Sequence, residues 1–172
     1  MAGAFSEDIT AQLVSWGNPE GQITNSELEL ADSVLHHACM ADFFHLRERT
    51  MLSRTDNTVG LWWQRKGSDT STFPPAHLLC LQAIHQRFHR YVPRHNFLSG
   101  VHNGIYDRPS RSRDLTDAAL LAHVDTSHPQ DLPWRLLTPP SDLISVIASA
   151  LWRKTSPRDS LIADLPPPMG NG

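Results

Sequence analysis

The chain has 172 residues, with 15 Lys and Arg against 18 Asp and Glu and a formal net charge of -3 with His neutral. At 40% hydrophobic and 19% charged it can build the core of one ordinary domain, which excludes a fully disordered chain. The charge excludes a globally basic nucleic-acid binder, the two cysteines (Cys39 and Cys80) exclude a disulfide scaffold, and no apolar window is long enough to cross a membrane.

Residues 1–9 are weakly patterned and read as a frayed end. Residues 11–16 (AQLVSW) are short and apolar and stop at Gly17-Asn18-Pro19-Glu20-Gly21, the pattern of a strand and a turn. Asn25 or Ser26 can cap a helix in which Leu28, Ala31, Leu35 and Ala38 recur at three- and four-residue spacing. Residues 50–53 predict a second strand ending near Asp56. A short helix over 58–65 follows, with Gly67 as its C-cap. Pro74 and Pro75 suit the start of a helix over 76–91, and residues 91–98 predict a third strand, weakened by Pro93. Beyond Gly100 the chain turns polar. Residues 115–124 predict a helix, and Ser141 can cap a final one over 141–153. The sequence shows no basic stretch followed by an apolar run at its start, so an intracellular setting (cytoplasm or nucleus) and no membrane partner are expected.

Strands alternating with helices define an α/β class. Three strands leave exposed edges, through which self-association is expected. Four features carry chemistry. Glu27 and Glu29 open the first strong helix, where a carboxylate caps the dipole or reaches toward a metal. Asp56 directly follows a strand, at the end where ligands of open α/β sheets bind; the plain alternative is a turn or cap. Asp107 offers a third carboxylate, and hard divalent cations require such distant carboxylates gathered in space. Arg87, Arg90, Arg94, Arg108, Arg111 and Arg113 make a basic stretch suited to phosphate, interleaved with His85, His89, His95 and His102. His85 and His89 have zinc spacing, but no cysteine stands near them, so a zinc site is not expected. Trp62, Trp63, Trp134 and Trp152 could anchor a protein partner, although Trp62 and Trp152 are expected in the core.

The order of these motifs resembles the ribonuclease H-like region that follows reverse transcriptase in eukaryotic retroelement polyproteins. NPEGQITNSELELAD, LSRTDNTVGLWWQRKGS and YVPRHNFLSGVHNGIYDRPSR carry the resemblance, and the downstream stretch from LLAHVDTSHPQ to SALWRK extends it. On that match Glu29, Asp56 and Asp107 fall on the family's metal-binding carboxylates, although Ile105-Tyr106 stands where a small residue usually precedes the last Asp. The resemblance implies two Mg²⁺ ions that hydrolyse the RNA strand of an RNA–DNA hybrid, with His95 as a proton shuttle in a flexible segment and His102 as its competitor. The Arg stretch would meet backbone phosphates. The resemblance further implies an incomplete ribonuclease H-like fold over 1–114 with a helical extension over 115–156, and the Pro166-Pro167-Pro168 run marks 157–172 as a tail expected to be disordered. The family's first strand and its aspartate have no counterpart, so the isolated chain is expected to lack efficient nuclease activity. The alternatives are a nucleic-acid-binding remnant without catalysis and a protein-interaction fragment.

Overall fold

The computed structural model describes residues 6–67, 73–100 and 116–152, apart from the side chain of Phe73. Asp107, Arg108, Arg111, Arg113 and His102 lie outside the described residues, as does the tail expected over 157–172.

The expected N-terminal strand is absent. A short helix α1 (Glu7–Ala11) takes up residues 7–9 of the end expected to fray, and residues 12–23 fold back on themselves. Gln12 carbonyl accepts from the amides of Gln22 and Ile23 at 2.9 and 3.0 Å, and the segment holds only isolated bridges, Leu13–Ile23 and Ser15–Asn18. Gly21 fits because a Cβ there would lie 2.7 Å from the backbone of Gln12 and Leu13. Trp16 then projects into solvent rather than onto a sheet.

Helix α2 (Asn25–Phe44) is capped one residue before the first of the expected caps. Thr24 is the N-cap, and a capping box closes it: Thr24 hydroxyl accepts from Glu27 amide, and Glu27 carboxylate accepts from Thr24 amide at 2.7 Å. Glu27 is therefore a buried capping residue. Strand β1 (Thr50–Thr55) runs to helix α3 (Thr58–Lys66), capped by Asn57 Oδ1 on Gly60 amide and ended by Gly67 in the left-handed region. Helix α4 (Phe73–His89) leads to strand β2 (Val92–Phe97). Helices α5 (Asp117–Ser127) and α6 (Ser141–Leu151) follow. The expected Ser141 cap is corrected: Ser141 is already helical, and the N-cap is Pro140, which has no side-chain acceptor.

Among the described residues the sheet has two strands, not three. β1 and β2 are parallel and register Thr50 with Val92 through Thr55 with Phe97. Val92 and Leu98 amides donate to Arg49 and Thr55 carbonyls, so the even-numbered amides of β2 face β1. Pro93, without an N–H, therefore falls on the outer side of the strand, where it costs no ladder bond. The exposed face carries Leu52 and Val92.

The core lies between α2, α4 and α6. Leu30, Val34 and Leu35 of α2 pack with Leu78 and Leu81 of α4 and with Ile147 and Leu151 of α6. Trp63 and Trp152 pack partly against it. The expected burial of Trp62 is wrong: it is 70% exposed, because α3 turns Leu61 and not its neighbour inward. The molecule is thus a small α/β fold with a parallel two-stranded sheet flanked by helices. No helix among the described residues is long and apolar enough to cross a membrane.

Candidate functional site

Parallel strands end on one side, so the carboxyl ends of β1 and β2 share an edge. Asp56 stands exposed at that edge, directly after β1. The first turn of α2 is tied to the same place, since Asn57 Nδ2 donates to Ser26 Oγ at 3.2 Å. Glu29, one turn along α2, accepts from Asn25 Nδ2 at 2.6 Å. Gly100, three residues beyond β2, comes beside Asp56: a Cβ there would lie 3.8 Å from Asp56 Oδ2. Among the described residues, however, neither Glu29 nor Asp56 joins a group of three ligand atoms within reach of one ion.

Asp32, one turn beyond Glu29, carries no sequence signal of its own. Burial pushes its carboxyl up to about 6, with a further push from the Glu29 carboxylate. Its Oδ1 is buried without a hydrogen-bond partner among the described residues.

Behind the edge lies a buried polar layer. Gln64 Nε2 donates to Ser33 Oγ at 2.8 Å and stands 3.4 Å from Gln82 Oε1. Gln82 Nε2 is 3.4 Å from His95 Nε2, and the His95 and His37 rings lie 5.4 Å apart. His95 is therefore mid-strand, opposite Ser53 and 8% exposed, and not in a flexible segment; its strand alternation turns it inward onto α2. Burial pushes His95 down to about 4, helped by the Arg65 guanidinium, whose Nε donates to His95 carbonyl at 2.9 Å. Burial pushes His37 down to about 3, with His95, His36 and His85 adding to it. Both rings are neutral at physiological pH.

A shallow groove opens beside the shared edge, lined by Thr58, Leu61, Trp62, Arg65, Lys66 and Phe97. Trp62 and Phe97 are exposed aromatics flanked there by two cations. Of the expected basic face, Arg87 and Arg94 are exposed, while Arg90 forms an ion pair with Glu48.

Comparison of the chain with models of protein families, with characterised proteins and with solved structures returned no match.

Proposed function

We propose that the chain is ribonuclease H-like and of retroelement origin, ancestrally hydrolysing the RNA strand of RNA–DNA hybrids and now binding nucleic acid without cutting it efficiently. The observation that carries this reading is the gathering at one sheet edge of Asp56, the first turn of α2 before Glu29, and Gly100. The order of motifs along the sequence and the parallel pairing of the strands after which Asp56 and the Asp107 segment follow agree with it.

Among the described residues neither Glu29 nor Asp56 belongs to a set of three ligands within reach of one ion, so the described carboxylates by themselves make no two-Mg²⁺ centre. No cleavage step follows from them. Binding is better supported. In the groove Trp62 and Phe97 offer flat apolar faces on which bases stack, and Arg65 and Lys66 offer charge to phosphates. Arg87 and Arg94 add exposed guanidinium groups.

Titration of a fluorescent RNA–DNA hybrid with purified chain at rising salt tests the binding. Affinity is expected to fall linearly on a log–log plot, and Trp62→Ala to remove about 1–3 kcal/mol of binding. Salt-independent binding, or none, contradicts the reading.

A further inference from the structure

Helices α2 and α4 pack side by side and end at the same pole of the molecule. Asp42 lies in the last turn of α2, and His85 and His89 occupy the last two turns of α4. One ligand atom from each of the three lies within 4.8 Å of the other two. His89 Nε2 is 3.5 Å from Asp42 Oδ1, and the two imidazoles stack with centroids 4.1 Å apart. We propose that Asp42, His85 and His89 form a binding site for a borderline divalent ion of the Zn²⁺ class, clamping the C-terminal ends of α2 and α4.

Four features support it. The i, i+4 spacing puts both imidazoles on one helix face, so a single ion bridges them without distorting α4. Tyr91, buried after α4, places its hydroxyl 3.2 Å from His85 Nδ1. When His85 binds metal through Nε2, Nδ1 carries the proton and donates it to Tyr91 Oη, the kind of outer bond that orients metal-bound histidines. The negative ends of two helix dipoles converge there and favour a cation. The frame is also tied independently of the ligands: Glu48 amide donates to Arg90 carbonyl at 2.7 Å, and their side chains form an ion pair.

The donor set decides the metal. Two imidazoles and one carboxylate suit Zn²⁺, Co²⁺ or Ni²⁺, whereas Mg²⁺ favours oxygen ligands and retained water. Three protein ligands leave a fourth position for water or a donor from another molecule. The site lies on α2 and α4 rather than at the carboxyl edge of the sheet, and it stands or falls apart from the proposed nucleic-acid binding.

Calorimetric titration of the full chain, freed of any affinity tag, with Zn²⁺ and separately with Mg²⁺ tests the site. One Zn²⁺ per chain is expected, with no competition from excess Mg²⁺ and a rise in melting temperature. Asp42→Ala changes an exposed side chain and His89→Ala a half-buried one, and each is expected to weaken Zn²⁺ at least tenfold while retaining the far-ultraviolet circular dichroism of the parent. His123→Ala, on α5, is expected to leave binding unchanged. Absence of stoichiometric binding by the folded parent overturns the proposal. So does binding that survives both ligand variants.

Discussion

His37 carries both ring nitrogens into the interior without a hydrogen-bond partner among the described residues. Folded, its pKa lies near 3 and that of His95 near 4, while an unfolded chain titrates histidine at about 6.5. Below that value the unfolded state binds more protons than the native state, so stability falls as pH falls. The loss begins near the unfolded value and continues down to the folded ones. The groups facing His37 are His36, His85 and His95, with Arg65 behind His95, and none of them supplies a negative charge to offset protonation. Urea denaturation followed from about pH 7 to about pH 4 should show this acid limb. His37→Leu removes no hydrogen bond seen here and keeps a similar volume, so it should flatten the limb and shift neutral stability by no more than about 1.5 kcal/mol. An unchanged limb in that variant would contradict the assignment.

At the scale of elements, local signals decided what was legible. Helix α3 was readable from Gly67, which ends it in the left-handed region, whereas its N-cap is Asn57 and not Asp56, the cap weighed in sequence. Strands β1 and β2 were readable from short runs bounded by turn residues. Residues 11–16 were misread because a short apolar run does not distinguish strand from loop; what decides the conformation is the non-local pairing of Gln12 with Gln22 and Ile23. Trp62 was misplaced because its face of α3 depends on where the helix packs, and Asp42 carried no spacing that joined it to His85 and His89. Of the edge, Asp56 after a strand was plain in sequence, whereas the Asn57–Ser26 bond that brings α2 to it spans 31 residues and left no local trace. The fold-back makes a sharp prediction of its own. Gly21→Ala forces a Cβ against the backbone of Gln12 and Leu13 and should lower stability by more than about 1 kcal/mol, read as a fall in melting temperature. Equal stability would mean that the turn is not tightly closed.

At the scale of the whole molecule, α6 closes the core formed by α2 and α4, although residues 98–140 separate it from β2 along the chain. Ile147 is fully buried there, so Ile147→Ala should cost roughly 2–5 kcal/mol and lower the transition of the whole domain rather than of a detached segment. The open edge of β1 and the exposed face with Leu52 and Val92 leave half of the sheet uncovered among the described residues. Next to that sheet lies the edge on which the functional reading rests, and one assay addresses it most directly. A hybrid with labelled RNA is incubated with folded parent and with Asp56→Asn, in Mg²⁺, in Mn²⁺ and in chelator, while bound and cleaved fractions are read together. Salt-sensitive binding in all three conditions, without metal-dependent cleavage, is the expected result. Metal-dependent cleavage that Asp56→Asn abolishes would contradict the account, because the carboxyl edge would then hold a complete catalytic centre.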